Sequence, residues 1–98
     1  MAVYVGEQYL PGTTAEQVKE SSDRLRSAAA ELAAEGIAVR LVATTFVPQE
    51  EWVLGVFEAE AAADVERVYT LAGASVERVT EAIHQAETAS TAPEARVT

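Results

Sequence analysis

The sequence predicts an α+β fold of the ferredoxin-like kind, βαββαβ. Short runs of β-branched and aromatic residues punctuate two segments with helical apolar spacing, and a glycine stands at the end of each segment. One strand is apolar on both faces, so the sheet is expected to be covered on more than its helical side.

Residues 2–9, AVYVGEQY, alternate in part and stop at the turn signal Pro11-Gly12, which makes them the first strand. Thr13 and Thr14 precede Glu16 and Gln17 at the three-residue spacing of a capping box. Val18, Ser22, Leu25, Ala29 and Leu32 then recur at three- and four-residue steps, so a helix is expected from about 15 to 35, stopped by Gly36. Residues 37–47, IAVRLVATTFV, place Ile37, Val39, Leu41 and Ala43 on one face and Val42 and Phe46 on the other. A polar turn, 48–51, leads to a third strand from Trp52 to Ala59, in which Gly55 permits a bulge or a close approach. A second helix covers 61–72, with Val65, Val68, Tyr69 and Ala72 on one stripe and Gly73 as its stop. The last strand is expected over Ser75–Ile83, so the domain spans 1–84. Residues 85–98, rich in Ala, Thr, Ser and Glu, read as a disordered tail.

Right-handed crossovers give the strand order 4-1-3-2, antiparallel throughout, with both helices on one face. The other face is left open. Val42 and Phe46 are expected there, and covering them suggests a homodimer.

Composition narrows the partners. A chain of 98 residues holds one modest core, and its formal charge of −9 disfavours phosphate backbones and anionic lipid. Nucleic acid and membrane are therefore not expected as partners. Neither a signal-type apolar run nor a span of membrane length occurs, and a cytoplasmic location is expected. The absence of cysteine removes disulfides, thiolate nucleophiles and thiolate metal sites.

Three stretches carry a resemblance: Tyr9-Leu10-Pro11-Gly12, the strand from Trp52 to Glu58-Ala59, and the run from Ala72-Gly73 through Arg78-Val79 to Glu81-Ala82. Over about residues 2–83 they resemble a family of small bacterial ferredoxin-like proteins of unknown function, one class of which binds nickel. The resemblance implies the fold and a dimer, with nickel as a minor possibility. Members of the family often have a histidine in the second helix and a cysteine in the third strand. This sequence has Val68 and Gly55 at those positions, which removes two metal-ligand candidates.

The remaining candidates are few. A divalent metal would draw on His84, the one imidazole, with Glu58 brought near it by the topology; the competing reading of His84 is a solvated residue beside a polar tail. Tyr4, Trp52 and Tyr69 offer aromatic and phenolic handles for a small ligand between helices and sheet, against a competing role in the core or at an interface. Glu7, Glu50 and Glu51 cluster by topology, either as a carboxylate pair for acid–base work or as a solvated rim. Arg40 blunts a sheet edge or meets an acid. No catalytic set is identified. A dimeric protein binding a divalent metal or a small hydrophobic ligand is expected; the alternatives are a cofactor-free dimeric α/β barrel enzyme (monooxygenase, isomerase or cyclase) acting on a hydrophobic metabolite, and a pure interaction module.

Overall fold

In the computed structural model, which describes residues 1–83 and 85, the first helix, α1 (Ala15–Ala34), begins at the capping box. The Thr14 hydroxyl accepts from the Gln17 amide at 3.1 Å, and the Gln17 side chain accepts from the Thr14 amide at 3.1 Å. Two amides that no helical carbonyl could reach are thereby satisfied. At the other end Gly36 takes φ 94°, and the Gly36 and Ile37 amides bond back to Ala33 and Leu32. The second helix, α2 (Ala62–Leu71), closes in the same way: Gly73 has φ 73°, and the Gly73 and Ala74 amides return to Thr70 and Tyr69. Both ends are Schellman closures, which need a residue that tolerates positive φ.

The strands are β1 (Ala2–Tyr9), β2 (Val39–Val47), β3 (Trp52–Ala59) and β4 (Arg78–Ala82). They form one antiparallel sheet in the order β2-β3-β1-β4, the expected order read from its other edge. Strict alternation sorts β1 and β3. Tyr4, Gly6 and Gln8 of β1 and Val53, Gly55, Phe57 and Ala59 of β3 are buried, while the residues between them are more exposed. Leu25, Ala28, Ala29 and Leu32 of α1 and Val65, Val68 and Tyr69 of α2 complete the core on that side.

The second strand departs from expectation. Its pairing with β3 is irregular between Leu41 and Ala43, so one extra residue, Val42, enters the strand. An inserted residue reverses the alternation beyond it. Val39 and Leu41 face the core, but Ala43 pairs with Val56 on the open face, and Phe46 pairs with the buried Val53 on the helical side. The expectation that Phe46 covers the open face and that Ala43 shares a face with Leu41 is thus corrected. The open face is apolar for other reasons: Val3, Val5, Leu54 and Val56 stand at its centre, each partly exposed. Arg40 lies on the edge strand β2 and pairs with Glu58. The expected tail, apart from Gln85, lies outside the described residues, as does His84.

Gly6 and Gly55 are register partners at the middle of the sheet, and they make a slot on its helical face. The ring of Tyr69 fills it. A Cβ at Gly6 would overlap the Tyr69 hydroxyl and come within 2.7 Å of Cε2; one at Gly55 would lie 2.7 Å from the hydroxyl and 3.0 Å from Phe57 Cε1. Since Tyr69 is only 1% exposed and meets Phe57 edge-on at 5.6 Å, the ring has nowhere to retreat. Overpacking a core typically costs about 1–3 kcal/mol. Gly6→Ala is expected to lower the unfolding free energy by about 3 kcal/mol and Gly55→Ala by about 1 kcal/mol. Urea denaturation of both variants checks the order; wild-type stability in Gly6→Ala would contradict the slot.

Candidate functional site

Where β1 ends, a cleft of about 680 Å³ opens between the first half of α1, the turn 10–13 and the loop 73–75. Gln8, Leu10 and Ser21 line this cleft and also a narrow crevice that continues past Leu25, Thr44 and Val53 to Gly55 and Tyr69. The crevice has room for about 10 Å³, which is on the order of one water molecule.

Each wall is fixed by hydrogen bonds from residues distant in sequence. On one side, the Glu51 carboxylate accepts from the Gly12 amide at 2.9 Å and from the Tyr9 hydroxyl at 3.4 Å, and the Glu51 carbonyl accepts from the Leu10 amide at 2.8 Å. Glu51 does this from a left-handed backbone, φ 60°, at the β2–β3 turn. On the other side, the buried Gln8 donates through Nε2 to the Ser75 carbonyl at 2.7 Å. The Glu77 amide donates to the Glu7 carbonyl at 2.7 Å, and the Glu77 carboxylate accepts from the Tyr9 amide at 2.9 Å. Deeper in, the Ser22 and Thr44 hydroxyls bond to each other at 2.8 Å.

Tyr69 differs from these groups. Its hydroxyl is buried and has no hydrogen-bond partner among the described residues. Burial without a compensating charge pushes its pKa up to about 12. At neutral pH it is a fixed, uncharged phenol that can donate one hydrogen bond and accept others. Around the cleft, Arg24 contributes a guanidinium, Glu20 a carboxylate, and Thr13, Gln17 and Ser21 neutral polar groups.

The residues singled out from sequence divide between two faces. Tyr69 ends the crevice, and Tyr4 is a core residue paired with Phe57 in the sheet. Trp52 lies on the opposite face against Tyr9, ring centres 5.6 Å apart and tilted by 47°. Glu58 accepts from the Arg40 guanidinium at 2.9 Å, and Glu7 from Arg78 at 2.7 Å. Glu7, Glu50 and Glu51 form no carboxylate pair in contact: Glu7 answers Arg78, Glu51 holds the turn, and Glu50 is exposed. Val68, at one of the positions where the family often has a metal-ligand candidate, is fully buried core. Among the described residues no three His, Asp or Glu side chains converge as a metal-holding group, and none of their helices is long and apolar enough to cross a membrane. Gln8, Ser22, Thr44 and Arg24 were not foreseen as site residues. The one local signal was a glycine, Gly6, in the middle of a strand.

The raised pKa of Tyr69 has a consequence at high pH. In the unfolded chain this phenol ionises near 10.0, whereas in the native protein it stays protonated to about 12. Its ionisation leaves stability unchanged below pH 10 and lowers it as pH rises from there to about 12, each unit removing about 1.4 kcal/mol. Urea denaturation across that window, compared with Tyr69→Phe, should show the variant losing less stability. Parallel curves would contradict the assignment.

The crystal structure of SCO4226 from Streptomyces coelicolor A3(2) is similar to this chain, with a TM-score of 0.70 over 87% of this chain and 100% of that one. The two are 17% identical, a likeness that shows the ferredoxin-like fold alone. No protein-family model matches the sequence, and no curated protein matches it.

Proposed function

We propose that this protein binds a small molecule in the cleft at the end of β1, with a hydrogen-bonding oxygen of the ligand on the Tyr69 hydroxyl, and that it works as a homodimer. The observation that carries the reading is the unpaired Tyr69 hydroxyl. Burying such a group without a partner costs about 1–3 kcal/mol, and phenylalanine would fill the same slot without that cost. A polar group at the end of a crevice beside a cleft suits a partner that comes from outside, a ligand oxygen in the place of the one water that the crevice can hold. Since the crevice admits about one water-sized group, the ligand reaches Tyr69 with a single oxygen and keeps its body in the outer cleft.

A divalent metal such as nickel would draw on Glu58, and the Arg40 guanidinium already occupies that carboxylate. The cleft is the better-supported site. The enzymatic alternative would use the same hydroxyl, because a neutral phenol in a water-poor crevice can stabilise a developing oxyanion.

The dimer reading rests on the open face. Val3, Val5, Leu54 and Val56 form its apolar centre, and the Arg40–Glu58 and Arg78–Glu7 pairs flank it. A face with an apolar middle and charges of both signs at its borders can pack on a copy of itself. Light scattering is expected to give twice the chain mass for the wild type and the single-chain mass for Val56→Asp. A wild-type monomer at micromolar concentration would overturn the dimer.

Binding is tested by NMR titration with a neutral phenol, 4-hydroxybenzyl alcohol. Saturable shifts are expected at the amides of Gln8, Ser21 and Ala74, and they should vanish in Ser21→Phe, which fills the mouth. Shifts that persist in that variant, or that centre on the open sheet face, would contradict the cleft.

A further inference from the structure

We propose that the ligand of this cleft is an anion, a small hydroxy- or oxo-carboxylic acid whose carboxylate is held by Arg24 while its other oxygen reaches Tyr69. This rests on the cleft being a ligand site.

The charge pattern of α1 points to it. In a chain with 16 acidic and 7 basic residues, a cation is expected to find a carboxylate. Lys19, Arg26, Arg40 and Arg78 each do: Asp23 alone takes both Lys19, at 3.7 Å, and Arg26, at 2.9 Å. Arg24 and Arg67 make no ion pair among the described residues, and of these two it is Arg24, between Lys19 and Arg26 in sequence, that lines the cleft. Glu20 stands one turn earlier at the spacing that commonly gives a helical ion pair, yet the two are not bonded. The guanidinium is thus left with its planar fork of donors free, the geometry that takes a carboxylate in two parallel bonds.

The rest of the cleft fits the body of such a molecule. Gln17, Ser21 and Arg24 follow one another at helical steps along one side of the cleft, and the rise of about 1.5 Å per residue spaces them over roughly 10 Å. Leu10 and Pro11 supply an apolar wall opposite. An aromatic ring with a carboxylate at one end and an oxygen at the other matches that sequence of groups: charge at the mouth, apolar middle, single oxygen at the floor.

Calorimetric titration with three probes separates the two ends: 4-hydroxybenzoate, benzoate, which lacks the hydroxyl, and 4-hydroxybenzyl alcohol, which lacks the charge. The wild type is expected to prefer 4-hydroxybenzoate over either of the others by about tenfold or more. Arg24→Gln should remove the preference over the alcohol and leave the alcohol's affinity unchanged. Tyr69→Phe should remove the preference over benzoate. Glu20→Gln, which deletes a competing carboxylate beside Arg24, should tighten 4-hydroxybenzoate and leave the alcohol alone. These are changes in selectivity, which a fold defect would not produce. Equal binding of 4-hydroxybenzoate and the alcohol, unaffected by Arg24→Gln, would overturn the anion and leave the cleft standing. Binding of none of the three would overturn both.

Discussion

The ring of Tyr69 lying in the slot between Gly6 and Gly55 is the contact on which the rest of the helical face depends. A tyrosine on α2 can enter the plane of side chains above the sheet only where two adjacent strands lack a Cβ, and the β1–β3 register brings the two glycines side by side. That insertion sets how closely α2 packs on the sheet. It also carries the hydroxyl to the inner end of a crevice whose walls come chiefly from α1 and β3, where no group among the described residues answers it. Phe57, edge-on to the ring, and fully buried Val65 and Val68 of the same core supply the hydrophobic stabilisation that offsets a polar atom left unpaired.

One side of the cleft above it is α1, and the other sides are held by polar contacts. Those other sides are a turn and a helix-to-strand loop, segments that have no ladder of their own. Glu51 fixes the first from the neighbouring hairpin, and Gln8 and Glu77 fix the second from β1 and from the loop itself. The acidic residues that resemble a carboxylate cluster in one dimension therefore serve separate ends in three: one holds a turn, one answers an arginine on the opposite face. Acidity at the hairpin is a structural device, whereas the cleft itself carries the guanidinium of Arg24 and the carboxylate of Glu20.

Much of the fold was legible because its signals are local. Thr14 and Gln17 mark a helix start within four residues, Gly36 and Gly73 mark helix ends, and the element order fixes the strand order once handedness is applied. The bulge at Val42 was not legible. It occurs among small and β-branched residues with no glycine or proline to announce it, and it inverts every residue after it, so Phe46 moved from the open face to the helical one. Trp52 was ambiguous for a different reason. In β3 the set Trp52, Leu54, Val56 and the set Val53, Gly55, Phe57 are both apolar, and alternation alone cannot say which set faces the helices. Tyr69 was legible as a phenol on the buried stripe of α2. Its unpaired state depends on two glycines in other strands, which only register brings together.

Because the Tyr69 hydroxyl has no partner among the described residues and is proposed to be kept for one outside the protein, the most direct measurement is the unfolding free energy of Tyr69→Phe at neutral pH. The account predicts a stability equal to the wild type or higher by about 1 kcal/mol, since the variant loses a buried unpaired oxygen and keeps the ring. A loss of about 2 kcal/mol or more would mean that the hydroxyl is bonded inside the fold, and would contradict it.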